Sequence, residues 1–63
     1  MKAWTPEEIR TFRNLLGLTQ VKFADMLGVT RVYVVFLERG DRQPGKTMKR
    51  LLDCLERQRD TEK

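Results

Sequence analysis

The feature that most constrains this chain is an order of residues that occurs three times: an apolar residue and a threonine precede a stretch of helical spacing, and a glycine follows it. The leading pairs are Trp4-Thr5, Leu18-Thr19 and Val29-Thr30. A threonine hydroxyl at such a position accepts a hydrogen bond from a backbone N–H of the first helical turn, and the apolar residue before it packs against that turn. The closing glycines are Gly17, Gly28 and Gly40, and glycine adopts the left-handed conformation that commonly ends a helix. The pattern predicts helices over residues 6–16, 20–27 and 31–39.

Apolar residues three or four positions apart indicate which faces of these helices are buried. They are Ile9, Phe12, Leu15 and Leu16 in the first helix, Phe23, Ala24 and Leu27 in the second, and Val34 and Leu37 in the third. After a loop over residues 41–45, a fourth helix is predicted from residue 46 to about 58 by the stripe Met48, Leu51, Leu52 and Leu55. We therefore expect an all-α, four-helix domain over residues 1–58, followed by a charged, frayed tail over residues 59–63.

The connection between the second and third predicted helices is only residues 28–30. So short a turn makes the two helices cross steeply, and Ala24 is small where they approach each other. This geometry is typical of the helix-turn-helix motif, in which one helix crosses the DNA backbone and the next lies in the major groove. The segment from Leu16 to Glu38 therefore predicts binding to double-stranded DNA.

The charge distribution favours an anionic partner. The formal net charge is +4 and the sequence pI is about 9.7. Residues 30–50 alone carry +4, from six basic and two acidic residues. The second and third predicted helices have no acidic residue in their first turns, so their N–H groups and positive dipole ends favour an external phosphate. Water would satisfy the same groups in helices that bind nothing.

The composition argues against catalysis and metal binding. The chain has no histidine, no serine and one cysteine, which removes Ser/His and Cys/His nucleophiles and leaves too few ligands for a zinc site. The lone Cys54 suits a reducing compartment, and we expect it to pack beside the core as a small apolar residue. No apolar run is long enough to cross a bilayer. We expect a non-enzymatic cytoplasmic protein without cofactor, metal or membrane partner.

Several runs at fixed spacing together resemble one family: Arg13, Leu16-Gly17-Leu18-Thr19-Gln20, Phe23-Ala24, Leu27-Gly28-Val29-Thr30-Arg31, Leu37-Glu38-Arg39-Gly40 and Pro44. Over about residues 9–55 the chain is similar to the Cro/lambda-repressor-type (xenobiotic response element) helix-turn-helix domains. The resemblance implies a lambda-repressor-like four-helix fold and a transcriptional regulator that binds double-stranded DNA sequence-specifically. It also implies a nucleoid-associated protein of prokaryotic or phage type.

The resemblance implies roles for individual residues that touch DNA. Gln20 matches the residue that holds a DNA phosphate beside the start of the second helix. Thr30, Arg31 and Val32 match the start of the recognition helix, where side chains reach base edges. Phe36 matches a further base-reading position one turn on. Arg31 is the strongest candidate of these, since a guanidinium pairs with both O6 and N7 of guanine.

Other positions match contacts to the DNA backbone or contacts within the domain. Arg39 and Arg42 match the region where the loop after the recognition helix meets the backbone, although each is equally interpretable as a solvated charge. Arg13 and Glu38 match a structural ion pair that ties the first helix to the third. Tyr33 is interpreted as a phosphate contact, and the alternative is a half-exposed ring that covers the helix junction.

The third helix departs from the family pattern because Val32, Val35 and Phe36 make its outward face apolar. Relatives usually carry amides, hydroxyls or basic groups there. Three interpretations stay open: contact with thymine methyl groups, binding of another protein or a second subunit, or folding of Phe36 back over the domain. The second interpretation corresponds to a protein-interaction module, for example an antitoxin or the partner of a regulator.

The resemblance also implies a homodimer on a palindromic operator, because two half-sites one helical turn apart are read by a twofold dimer. Many relatives use a fifth helix for dimer contacts. Here the last predicted helix, the loop over residues 41–45, or a contact formed only on DNA would serve instead.

Overall fold

The computed structural model describes residues 3–61, with side chains over residues 3–59. Within that range the chain forms helices and no strand: α1 (Pro6–Leu15), α2 (Gln20–Leu27), α3 (Arg31–Arg39) and α4 (Lys46–Thr61). The predicted all-α, four-helix fold is confirmed. Helix α1 ends one residue earlier than predicted, and α4 continues past residue 58. Residues 62 and 63 of the predicted tail lie outside the described residues, and a separate tail after residue 58 stays a prediction.

Threonine begins each of the first three helices. Thr5, Thr19 and Thr30 are N-caps in the extended conformation, and each hydroxyl accepts a hydrogen bond at 3.2 Å from the backbone N–H three residues on. Loss of such a cap typically costs about 1 kcal/mol. The three caps therefore fix the residue at which each helix begins.

The turn between α2 and α3 depends on Gly28. Its φ of 74° lies in the left-handed region. The Gly28 N–H donates to the Asp25 carbonyl at 3.2 Å, and the Val29 N–H donates to the Ala24 carbonyl at 3.0 Å. The chain therefore reverses within a few residues, and α2 and α3 pack directly against each other.

A single core joins all four helices and the segment before α1. Its buried apolar residues are Trp4, Ile9, Phe12, Phe23, Ala24, Leu27, Val34, Leu37 and Leu52. Three of its aromatic rings pack edge to face, with centroid separations of 5.4 Å for Trp4–Phe12 and 6.2 Å for Phe12–Phe23. The Trp4 indole N–H also donates to Asp53 Oδ1 at 2.8 Å. This bond ties the segment before α1 to α4.

Two predicted core positions are wrong. Leu15 is 58% exposed, because residues 9, 12 and 16 share one face of the helical turn and residue 15 lies at its edge. Cys54 is exposed, because it lies two residues after the buried Leu52 and therefore on the far side of α4. The two inward positions predicted for α3, Val34 and Leu37, are confirmed as fully buried.

A largely buried ion pair connects α1 with α3. Arg13 Nε donates to Glu38 Oε2 at 2.6 Å, and Arg13 Nη2 donates to Glu38 Oε1 at 3.1 Å. The exposed fractions of the two side chains are 16% for Arg13 and 6% for Glu38. The hydrogen bond to Glu38 raises the pKa of the Arg13 guanidinium, against a lowering by burial, and the attraction between the two charges adds to the rise. Such a two-point pair fixes direction as well as distance.

We expect Gly28→Ala to lower the free energy of unfolding by about 1–2 kcal/mol, because an L side chain is strained in the left-handed region. Steric overlap adds nothing, since no heavy atom lies within 4 Å of a Cβ built at this position. Gly45→Ala is the matched control, because Gly45 has the same open space without a positive φ. It should change stability by less than about 0.5 kcal/mol. Urea unfolding followed by circular dichroism measures both, and equal losses would contradict the role of Gly28.

We expect Arg13→Met to lower the free energy of unfolding by about 3 kcal/mol, because it leaves the Glu38 carboxylate buried without its cation. Arg39→Met is the matched control: the Arg39 side chain is 67% exposed and its Nε lies 3.4 Å from Asp41 Oδ2. An exposed pair of this kind contributes less than about 1 kcal/mol. The same urea titration compares the two variants. If Arg13→Met cost no more than Arg39→Met, the pair would not be the link that stabilises α1 against α3.

Candidate nucleic-acid interface

One side of helix α3 packs into the core, and the first turn of the helix is exposed to solvent. Val34 and Leu37 are fully buried and Glu38 is 6% exposed, whereas Arg31 is exposed and Val32 is 54% exposed. The first turn therefore presents a guanidinium next to a branched apolar side chain. These are two of the positions at which the sequence predicts contact with base edges.

The starts of α2 and α3 leave backbone donors outside the helical hydrogen-bond ladder. The first ladder bonds run from Phe23 N–H to the Thr19 carbonyl at 2.9 Å and from Val34 N–H to the Thr30 carbonyl at 3.3 Å. The N–H groups of residues 20, 21, 31 and 32 precede those bonds, and neither first turn holds an acidic residue. Thr30 itself is exposed, and its hydroxyl accepts from the Tyr33 N–H as the cap. Both helix starts therefore present the positive end of a helix dipole.

Gln20, the first residue of α2, makes a contact that sequence reasoning missed. It is half-buried, and its Nε2 donates to Glu38 Oε1 at 3.3 Å. The first turn of α2 has no acidic residue, yet the fold brings the carboxylate of Glu38 to the first residue of that helix. No local pattern reports this contact, because the two residues lie 18 positions apart in the chain. The second hydrogen on Nε2 is left for another acceptor.

Glu38 is the point at which the first three helices meet. Besides its two bonds from Arg13 and one from Gln20, its backbone carbonyl accepts from Arg10 Nη2 at 3.2 Å. Arg13 Nη1 also donates to the Leu18 carbonyl at 2.9 Å. Helix α1 therefore holds both the turn before α2 and the last turn of α3. The role of Arg10 was missed, although its position three residues before Arg13 places both on one face of α1.

The outward apolar face predicted for α3 is narrower than the sequence suggested. Val35 and Phe36 are both half-buried. Val35 lies about 100° round the helix from the fully buried Val34, at the edge of the inward side. Tyr33 is also half-buried and packs against the core, in a shallow groove that it lines with Leu27, Val29, Met48 and Leu51. Val32 is therefore the predicted apolar contact that α3 exposes most.

The loop after α3 is held against the end of that helix. The carbonyl of Phe36 accepts the N–H groups of Asp41 at 3.0 Å and Arg42 at 3.3 Å. Arg39 and Arg42 are both exposed, and Arg39 pairs weakly with Asp41. Both guanidinium groups that the sequence predicts at the DNA backbone therefore reach solvent from this end of α3.

The surface offers charge and hydrogen-bond donors. Across residues 3–59 no group of three or more His, Cys, Asp or Glu side chains could hold a metal ion. No helix in the part of the chain that the structure describes is long and apolar enough to cross a membrane. Every buried side-chain nitrogen or oxygen in that part has a hydrogen-bond partner. The polar groups that the surface offers a ligand include those at the exposed start of α3, at the start of α2 and on the cations after α3.

Comparison with known protein families agrees with this geometry. The family model described as helix-turn-helix matches residues 9–60 and so covers α2, the turn, α3 and the loop that follows. No curated protein and no solved structure matches the chain. The family is one of DNA-binding regulatory proteins that are generally non-enzymatic. The match extends over most of the chain, and the protein therefore belongs to the Cro/lambda-repressor-type helix-turn-helix family.

Proposed function

We propose that the protein is a sequence-specific transcriptional regulator that occupies an operator, with α3 in the major groove and the start of α2 on the phosphate backbone. The observation that carries this proposal is the joint exposure of Arg31 and Val32 on the first turn of α3. The ion pair of Arg13 with Glu38 ties α3 to α1 and so fixes the direction in which α3 presents that turn. A helix presented in this way fits the major groove.

Backbone contacts supply most of the affinity in this proposal. The uncapped N–H groups at the starts of α2 and α3, with the Gln20 amide and the Tyr33 hydroxyl, donate to phosphates. The exposed Arg39 and Arg42 add charge at the end of α3. The net charge of +4 gives the domain a general attraction for nucleic acid.

Base contacts come from the first turn of α3. Arg31 pairs with O6 and N7 of a guanine, and Val32 contacts the methyl group of a thymine. Thr30 and Phe36 lie on either side of these positions in the chain and complete the proposed contact surface. The half-burial of Val35 and Phe36 leaves the alternative, a protein-interaction module, with less exposed apolar surface, and so favours DNA as the partner.

We also propose that the protein binds as a homodimer to a palindromic operator. Two copies related by a twofold axis place their α3 helices in successive major grooves, about 34–36 Å apart. Such a protein works in the cytoplasm of a prokaryotic cell, on the nucleoid. A dimer predicts that the selected site has two inverted halves.

Selection of bound sequences from a random duplex pool tests the proposal directly. We expect one enriched, inverted-repeat motif. In fluorescence anisotropy, the log of the affinity for that motif should fall with log salt by about 0.9 per phosphate contact. If no motif is enriched and no duplex binds at low salt, the protein is not a DNA-binding regulator.

Arg31→Ala and Arg42→Ala should have different consequences for the selected motif. Loss of Arg31 removes a bidentate base contact, so preference at one base pair should fall by about 1–3 kcal/mol. Loss of Arg42 should weaken all sequences evenly and lower the salt slope by about 0.9. Arg50→Ala, an equal loss of charge at an exposed position on α4, is the control and should leave the motif unchanged. Equal weakening by the first two variants with an unaltered motif would refute base reading by Arg31.

The proposed contact of Val32 with a thymine methyl group can be tested by changing the DNA, because uracil is thymine without its methyl group. At the thymine that Val32 contacts, replacement by uracil should lower the affinity of the unmodified protein about fourfold, as expected for one buried methyl group. The same replacement should have a smaller effect on Val32→Ala, because the shorter side chain buries less of the methyl group. Val21→Ala is the matched control, since Val21 is 50% exposed but lies on α2. If replacement by uracil lowered the affinity of Val32→Ala as much as that of the unmodified protein at every thymine, this contact would be excluded.

A further inference from the structure

We infer that Glu38 is a positioning residue for DNA binding, because its carboxylate fixes the Gln20 carboxamide so that Nε2 bridges Glu38 and a backbone phosphate. The inference rests on the proposed DNA binding and adds to it a residue that touches no DNA. It starts from the hydrogen bond of Gln20 Nε2 to Glu38 Oε1 at 3.3 Å.

The burial and pairing of Glu38 make this contact directional. Its side chain is 6% exposed, and Arg13 donates to both of its oxygens. A carboxylate only accepts hydrogen bonds, so Gln20 must turn its nitrogen, not its oxygen, towards it. A carboxamide at the surface otherwise adopts either of two orientations related by a flip. Glu38 therefore selects one of them before DNA arrives.

The bound amide retains one hydrogen for an outside acceptor. A primary amide nitrogen carries two, and the bond to Glu38 uses one of them. Gln20 is only half-buried and lies at the first position of α2, beside the free backbone N–H groups of residues 20 and 21. The negative charge of Glu38 does not oppose an anion here, because Arg13 neutralises it at 2.6 Å. Nε2 of Gln20 therefore links the buried carboxylate of Glu38 to an external phosphate.

The contact also couples the two halves of the interface. Glu38 belongs to the last turn of α3, and Gln20 begins α2. A rotation of α3 that moved Arg31 in the groove would also move the carboxylate that orients Gln20. Phosphate binding at α2 and base binding at α3 therefore depend on the same carboxylate. The effects of substitutions at Gln20 and Glu38 on the free energy of DNA binding should not be additive.

A double-mutant cycle on the selected duplex tests this coupling. Gln20→Met should lower the affinity about tenfold, as expected for one hydrogen bond to a charged group. In a Glu38→Gln background the side chain at position 38 both donates and accepts, so it no longer dictates the orientation of Gln20. In that background Gln20→Met should lower the affinity for the duplex about threefold or less. Equal costs in the two backgrounds would overturn the inference.

Gln58→Met is the matched control, because Gln58 is an exposed glutamine on α4. It should leave the affinity unchanged with either residue at position 38. Thermal unfolding of each variant establishes that the protein is folded at the assay temperature. A loss of affinity in Gln58→Met equal to that in Gln20→Met would show that the effect is not specific to α2.

Side-chain amide NMR on the unmodified protein provides a measurement that needs no substitution. The chain has four carboxamides: Asn14, Gln20, Gln43 and Gln58. One Nε2 hydrogen of Gln20 should exchange slowly in the free protein, and both should exchange slowly in the complex. Rapid exchange of both in the free protein, or release of the first when DNA binds, would overturn the bridging role.

The two levels of the proposal fail in different ways. If the unmodified protein binds no duplex, the proposed function and the positioning role of Glu38 fall together. If it binds an enriched motif but the cycle is additive, only the role of Glu38 is lost. A merely structural Glu38 would change stability without altering the cost of Gln20→Met.

Discussion

The orientation of α3 depends on one buried carboxylate. Burial of a charge is unfavourable unless cations and hydrogen-bond donors satisfy it, and Arg13 bonds to both oxygens of Glu38. The same guanidinium reaches the Leu18 carbonyl, so a single side chain joins α1, the turn before α2 and α3. Because every one of these bonds is directional, few rotations of α3 satisfy all of them together. The exposed turn that carries Arg31 takes its direction from this pair.

A core as small as this one needs a directional interaction to fix the angle of α3. Apolar burial is nearly proportional to area and sets no angle, and α3 contributes only Val34 and Leu37 as fully buried apolar side chains. A nine-residue helix with two fully buried apolar side chains would keep most of its apolar burial after a small rotation about its axis. The bonds at 2.6 and 3.1 Å from Arg13 to Glu38 would not survive that rotation. We therefore attribute the stability of α3 mainly to apolar packing and its angle to the ion pair.

The sequence predicted local structure well because the signals that begin and end helices lie within a few residues of each other. Threonine caps and a left-handed glycine located α2 and α3 to the residue, and helical periodicity identified Val34 and Leu37 as buried. The ion pair of Arg13 with Glu38 was reached through resemblance, not through any local signal. The bonds from Gln20 and Arg10 to Glu38 were missed, because they join residues brought together only by the packed fold. The same limit explains Val35, whose burial depends on its neighbours as well as on its place in the helical repeat.

The small number of base-reading groups that we propose on α3 favours the proposed homodimer. A bidentate arginine contributes about 2 kcal/mol of discrimination, and a contact with one thymine methyl adds about 0.8 kcal/mol. Together they favour the correct half-site by about a hundredfold, since each 1.4 kcal/mol is a factor of ten. Specific DNA-binding proteins typically exceed their non-specific binding by about 10³–10⁷-fold. One copy therefore falls short of that range, whereas two copies on an inverted repeat multiply their discrimination to about 10⁴. The small reading surface proposed for α3 is therefore an argument for the dimer that does not depend on where the two copies touch.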